Sequence, residues 1–345
     1  MPKCHPHPTL PHPGREHYSR LMNLLRDADI DPAPLASKRV AILGYGNQGR
    51  AQALNLKDSK IDVVVGLRGG SGRTIEAESA GLSAALIEHA VASADVVMML
   101  APDEIHAALY REIEPHLRRG AALGFSHGLS VRFALVEPRA DLDVFLIAPK
   151  GPGTALRSLY AQGKGMIAVW AVAQDATGQA RDIALAYGRA IGCGRAGLIA
   201  SSFAEEAEAD LFNEQAVVWG AMPELLIAGF ETLVAGGVSP ELAYLECVGE
   251  LKLIAELIEA RGIAGMRGAI SNTAELGALL GGRRIVDDSV RRRMAEVFAE
   301  VRAGRFADEL THEEASNYPR LGKARRQSRE MLIEQTYRRL NEAEE

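Results

Sequence analysis

A mostly parallel α/β domain followed by an all-α domain is predicted by three observations. From Lys38 onward, short apolar runs alternate with helical stretches. One of these runs ends in a glycine triplet at Gly44, and after about Ser201 the alternation gives way to helical periodicity alone. Alternation of the first kind specifies βαβ units, whose sheet is covered on both faces. A chain of 345 residues has room for two such parts.

Residues 1–37 read as an extension. The opening "MPKCHPHPTLPHPGREHY" is rich in Pro and His and has no apolar run of the kind a secretory leader needs. His5, His7 and His12 there are read as incidental rather than as a metal site.

Residues 38–201 form the predicted α/β domain. "RVAILG", "IDVVVG", "ADVVMMLAP", "AALGFSHG", "DVFLIAPKGPG" and "MIAVWAVA" are short, apolar and bounded by turn residues, as strands are. Gly44, Gly46 and Gly49 make G-x-G-x-x-G directly after the first strand and at the start of an Ala/Leu-rich helix, with Tyr45, Asn47 and Gln48 between them. That context defines a Rossmann-type dinucleotide site. The turn lets backbone approach a pyrophosphate, and the helix N-terminus faces the anion.

The second strand usually ends in an acid that accepts from a ribose 2'-hydroxyl. Here Arg68, Ser71 and Arg73 follow it instead. Two guanidinium groups and a hydroxyl suit a 2'-phosphate, so NADPH is the expected cofactor. The competing reading is a solvated turn with incidental arginines.

His127 in "FSHG" and Lys150 in "APKGPG" follow apolar strands, at the carboxyl edge where open α/β sheets place ligands. Each residue type can serve chemistry, His by moving a proton and Lys by neutralising an oxyanion. Each is equally explicable as a loop residue. Gly151, Pro152 and Gly153 would fix a tight turn after Lys150.

Residues 202–328 form the predicted helical domain, and 329–345 a tail. Ser239, Pro240 and Glu241 together make a good helix start. Asp210 and Glu214 are four apart, as are Glu246 and Glu250, so each pair would share a helix face. Among apolar neighbours such as Phe203, Ala207, Leu253 and Leu257 these acids would be costly to bury without a cation. A hard divalent ion such as Mg²⁺ resolves that cost, while the alternative is surface charge at the edge of the stripe. Glu205, Glu206 and Glu208 carry no comparable case and read as solvated. The long apolar run Ala216 to Gly237 contains Pro223, Glu224 and Glu231, which argues against a lipid-spanning helix and for one buried within protein.

Composition excludes several function classes. The balance of 39 Lys and Arg against 45 Asp and Glu gives a net charge of -6, with no basic block for nucleic acid. Cys4, Cys193 and Cys247 lie far apart with no C-x-x-C pair, so neither a disulfide framework nor a zinc site is signalled. A cytoplasmic location is expected.

Taken together, "GYGNQG", "VVVGLR", "MLAPDEIH", "FSHG", "APKGPG", "EADLFNEQAV", "PELAYLECVGELKLI" and "ISNTAELG" closely resemble the ketol-acid reductoisomerase family of the short, class I type. The similarity runs from about Asp27 to Arg326. It implies a knotted helical domain, active sites completed across a homodimer or higher oligomer, NADPH and two Mg²⁺ ions. It further implies conversion of 2-acetolactate or 2-aceto-2-hydroxybutyrate to a 2,3-dihydroxy-3-methyl acid in valine and isoleucine biosynthesis.

Carried over residue by residue, the resemblance makes Asp210 a ligand of both metals and Glu214 a ligand on one side. Glu246 and Glu250 would serve the other metal, with Glu250 also passing a proton. Lys150 would order water at the metals, His127 would lie near the nicotinamide, Gly153 would border the cofactor, and Ser271 would hold the substrate carboxylate. Departures fall near the substrate: "GPGTALR" brings Thr154 and Ala155, and "MRGAIS" brings Gly268 and Ala269 where the family carries bulkier residues. A specialised paralogue acting on another 2-hydroxy-3-keto acid is therefore one alternative. A metal-free 3-hydroxy-acid dehydrogenase and a non-catalytic NADPH-binding protein are two others.

Overall fold

The computed structural model describes residues 24–342. By internal packing it divides into one compact unit that ends at Glu206 and a second that begins at Ala207. His5, His7, His12 and Cys4 lie outside the described residues.

The first unit is an eight-stranded sheet in the order β3-β2-β1-β4-β5-β6-β7-β8. Its strands are Arg39–Leu43 (β1), Asp62–Leu67 (β2), Ser83–Leu86 (β3), Val96–Met99 (β4), Ala122–Phe125 (β5), Asp143–Pro149 (β6), Ala168–Gln174 (β7) and Leu198–Ala200 (β8). All neighbours pair parallel except β6 and β7, which run antiparallel with a register shift at Val144/Phe145. The helices are Ala33–Ala36 (α1), Asn47–Asp58 (α2), Arg73–Ser79 (α3), Ile87–Ser93 (α4), His106–Ile113 (α5), Leu129–Arg132 (α6), Gly153–Ala161 (α7) and Ala180–Ala190 (α8).

Successive residues of a strand point to opposite faces, and here both faces are apolar. Val40 and Ile42 enter one core with Leu56, Phe145 and Tyr187, whereas Ala41 and Leu43 enter another with Val97, Leu123 and Phe125. The six strands expected from apolar runs are all present. Two others, β3 and β8, carried too few large apolar residues to be read.

The chain before Lys38, expected as an extension, belongs to this unit in its described part. Leu25 exchanges both backbone hydrogen bonds with Leu198, at 3.0 and 2.8 Å, and Ile30 and Leu35 are buried. Cys193 is buried, and burial pushes its thiol up to about 12, which makes it an inert packing residue.

The second unit is helical throughout. Helix Phe203–Ala216 (α9) leads into it, followed by Ala221–Ala235 (α10), Pro240–Tyr244 (α11), a π-helical turn at Leu245–Gly249, and Leu251–Arg267 (α12). Asn272–Ile285 (α13), Asp288–Arg302 (α14), Arg305–Ala315 (α15), Pro319–Glu330 (α16) and Leu332–Glu342 (α17) complete it. Ser239 caps α11 as its sequence indicates, its Oγ accepting from Leu242 N at 3.4 Å.

Two expectations are corrected in this unit. Residues from 329, expected as a tail, contain the whole of α17, whose Ile333 packs with Phe230 and Ala243. Within the run Ala216 to Gly237, expected to be buried, Trp219 is 65 % and Leu225 53 % exposed. In Phe203–Ala235, which by length and composition alone could cross a membrane, little of the most apolar stretch is covered within the chain. Apolar composition signalled burial correctly only if another molecule supplies the cover.

Candidate active site

The glycine loop between β1 and α2 borders a cavity of about 520 Å³ lined by Gly44, Tyr45, Gly46, Asn47 and Gln48. Gly44 has a φ of +100°, and a Cβ there would lie 2.7 Å from Leu100 O, so only glycine fits. A Cβ at Gly46 would meet nothing within 4 Å; its open face is where a pyrophosphate needs the backbone bare. Arg68, Ser71 and Arg73 line the same cavity. Arg73 Nη1 also donates to Tyr45 O, which commits part of that guanidinium to holding the loop.

Two side chains strap the neighbouring loop to this one. Gln48 Nε2 donates to Gly151 O at 2.9 Å, and Asn47 Oδ1 accepts from Thr154 N at 2.9 Å. Gly153 borders an adjoining cavity of about 480 Å³ together with Gly46, Asn47 and Thr154. The turn after Lys150 is therefore fixed against the glycine loop.

Lys150 follows β6, as expected of a residue at the carboxyl edge. Its Nζ lies 2.6 Å from Glu206 Oε1, while Glu206 Oε2 accepts from Gly128 N at 2.7 Å. Glu206 is 3 % exposed, which overturns its reading as a solvated acid. The sequence carried a signal for it: Phe203, Glu206, Ala207 and Leu211 have the i, i+3, i+4, i+8 spacing of one helix stripe, and all four are buried. A carboxylate on that stripe is stabilised by two charge-assisted bonds.

His127 follows β5 and lines the larger cavity, its Nδ1 3.3 Å from Asp103 Oδ2. Asp103 was legible only as part of "APDEIH". Burial opposes its ionisation, but the hydrogen bond from His127 and the charges of His127 and His106 outweigh that, holding its carboxyl below the usual range. Nearby, His106 Nε2 lies 2.9 Å from Ala101 O and Nδ1 2.8 Å from Ser130 Oγ. A carbonyl only accepts, so Nε2 carries the proton and Nδ1 accepts from the serine.

Burial pushes the His106 imidazole below its ordinary value of 6.5, against the pull of Asp103. The unfolded chain therefore takes up a proton before the folded one does. Stability is full above 6.5 and falls as pH drops below it, followed by a second loss as pH falls through the depressed Asp103 value, below 3.8. In urea melts across this range, His106→Gln should flatten the first step and only weaken the second, because His127 still holds Asp103. An unchanged first step would mean that another group sets it.

Asp210 and Glu214 follow Glu206 at successive turns of α9, Asp210 half-buried and Glu214 exposed. Glu246 lies in the π turn and Glu250 directly after it, a form of helix frequent at functional sites. Both are exposed, as is Leu253 beside them, so within one chain this second pair is not the buried pair its apolar neighbours suggested. Ser271 caps α13, its Oγ accepting from Ala274 N at 3.2 Å. The first unit thus gathers the glycine loop, Arg68, Ser71, Arg73 and His127 around one cavity and fixes the Lys150 loop to it, whereas the remaining acids and Ser271 belong to the helical unit.

A doubly wound sheet with this loop at the ends of its strands defines a dinucleotide-binding protein. The comparisons narrow the class. The acetohydroxy acid isomeroreductase NADPH-binding domain matches residues 34–197, and the ketol-acid reductoisomerase C-terminal domain matches residues 203–345. The solved structure of an NADH-preferring ketol-acid reductoisomerase from an uncultured archean is 40% identical, with a TM-score of 0.90 over 93% of this chain and 99% of that one. This chain belongs to the ketol-acid reductoisomerase family.

More remote structures share the fold alone. A semialdehyde dehydrogenase NAD-binding protein from Cupriavidus necator is 19% identical, with a TM-score of 0.59 over 77% of this chain and 99% of that one. The pyrroline carboxylate reductase of Plasmodium falciparum is 14% identical, at 0.50 over 78% and 98%.

Proposed function

We propose that this protein is a Mg²⁺-dependent, NADPH-using reductoisomerase acting on 2-acetolactate or 2-aceto-2-hydroxybutyrate, in valine and isoleucine biosynthesis. The observation that carries the reading is the Lys150–Glu206 pair, which is tied through Gly151 to the glycine loop and stands one helical turn before Asp210. A 3-hydroxy-acid dehydrogenase without metal would leave that run of helical carboxylates without a purpose.

Hard carboxylate oxygens are the donors Mg²⁺ prefers, and Asp210, Glu214, Glu246 and Glu250 provide them. Two such ions, when bound, supply Lewis-acid polarisation of the substrate's hydroxyl and carbonyl oxygens, and NADPH supplies the hydride. In the first stage the alkyl group leaves C2 for C3: the C2 hydroxyl loses its proton and becomes the ketone, while the C3 carbonyl oxygen takes up a proton and becomes the hydroxyl. In the second stage that ketone is reduced. Lys150 holds positive charge at the carboxyl edge of the sheet, and Glu206 fixes its ammonium group. Asp103 orients His127 for the proton network beside the nicotinamide. Glu250 transfers a proton, and Ser271 holds the substrate carboxylate.

Bare apolar surface on the helical unit fits the self-association that the same reading expects. Trp219, Leu242, Leu245, Leu253, Leu276 and Leu280 are each about half or more exposed within one chain, an unusual amount of bare aliphatic surface for a soluble monomer. A second copy covering this surface would bring Glu246, Glu250 and Ser271 into an enclosed site.

NADPH is favoured over NADH by Arg68 and Ser71 on the cavity wall and by the lack of any acid between residues 68 and 73. The related archaeal enzyme prefers NADH, so the test is direct. Arg68→Asp combined with Ser71→Asp leaves Arg73 on Tyr45 O and should raise the KM for NADPH by about 100-fold, with NADH turnover retained. An unchanged NADPH preference would locate phosphate recognition elsewhere.

A further inference from the structure

Behind the cavity, a relay of side chains, buried at Gln52 and Tyr187 and half-buried at Gln48 and Ser126, joins three loops. Gln52 in α2 is wholly buried. Its Nε2 donates to Gln48 Oε1 at 3.1 Å and to Ser126 Oγ at 2.9 Å, and its Oε1 accepts from the Tyr187 phenol at 2.7 Å. Gln48 in turn donates to Gly151 O.

One backbone carbonyl sets the sense of the whole relay. Gly151 O can only accept, so the Gln48 amide must turn its nitrogen there and its oxygen toward Gln52. Gln52 must then turn its nitrogen toward Gln48 and Ser126 and its oxygen toward Tyr187, which must donate. Burial raises the Tyr187 phenol well above its ordinary value, so it keeps the proton it donates. Both hydrogens of the Gln52 amide are used. Ser126 Oγ is thereby an acceptor at the back, and its own hydrogen is left for an acceptor in the cavity that Ser126 lines.

We infer that Gln52 is a positioning residue for the reaction: it fixes the Lys150–Gly151 loop against the glycine loop and sets Ser126 as a hydrogen-bond donor toward the bound ligand. This rests on the reductoisomerase reading for its effect on turnover, but not for its effect on the loops. A buried amide with every donor and acceptor used resists rearrangement, because any flip leaves unpaired groups out of water.

The test is Gln52→Glu in the full-length protein, with Tyr187→Phe as a second variant. A carboxylate keeps the shape and the Tyr187 bond but cannot donate to Gln48 or Ser126. With Mg²⁺, NADPH and 2-acetolactate, kcat should fall on the order of 10- to 100-fold while NADPH affinity changes little. Buried carboxyls have raised pKa values, so lowering the pH should protonate Glu at position 52, restore one donor and recover part of the lost kcat relative to wild type. Tyr187→Phe should give a smaller loss with no such recovery.

Amide hydrogen exchange at residues 126–128 and at Lys150, Gly151 and Gly153 supplies a readout independent of activity, and should be faster in both variants. Wild type that binds NADPH without turnover would reject the reductoisomerase reading, leaving exchange to decide the relay. Unchanged exchange, or a kcat loss that is the same at every pH and tracks the melting temperature, would overturn the positioning role.

Discussion

Asp210→Asn should abolish Mg²⁺-dependent turnover of 2-acetolactate while NADPH binding persists. The substitution keeps size and helix register in α9 but removes one full charge from the carboxylate read as shared by both ions. Ion affinity and transition-state polarisation both depend on that charge, so kcat/KM should drop by at least about 10³-fold, or about 4 kcal/mol. The glycine loop lies in the other unit, and its straps to the Lys150 loop through Gln48 and Asn47 do not involve Asp210. Steady-state rates across a Mg²⁺ titration, with NADPH binding followed by fluorescence, check the separation. Wild-type turnover at saturating Mg²⁺ would sink the metal assignment.

Lys150→Gln should be nearly as damaging, and in two ways. It removes the cation at the edge of the sheet, which should lower kcat about 100-fold or more. It also takes from the buried Glu206 carboxylate its ammonium partner, while the bond from Gly128 N remains. Lys150 itself is 35% exposed, so water can repair part of that loss, and the destabilisation should be about 1–3 kcal/mol. Adding Glu206→Gln neutralises the stranded charge. The double variant should recover stability without recovering activity, as read by thermal melts and rates together. Recovery of activity along with stability would show that Lys150 serves folding only.

Much of this was legible in the sequence because the signals are local. G-x-G-x-x-G after an apolar strand states its own geometry, and Ser239-Pro240 states a helix start. What escaped detection depends on contacts distant in sequence. Glu206 looked like one acid among several until α9 packed its stripe against Gly128 and Lys150, 78 and 56 residues away. Gln52 looked like any polar helix residue, yet its partner Tyr187 is 135 residues distant. The apolar run after Ala216 was read as buried because hydrophobicity reports that a surface avoids water, not which molecule covers it. Strands β3 and β8 were missed for a simpler reason: Ser83-Ala-Ala-Leu86 and Leu198-Ile-Ala200 are too short and small to show a period.

The central claim is that one site performs metal-dependent migration and nicotinamide-dependent reduction. It is tested most directly by following NADPH oxidation with Mg²⁺ on 2-acetolactate and, separately, on the migrated product 3-hydroxy-3-methyl-2-oxobutyrate. The account predicts turnover of both, lost on chelation of Mg²⁺ and restored by its return. Turnover of neither substrate with NADPH or NADH, by protein that still binds the dinucleotide, would contradict it.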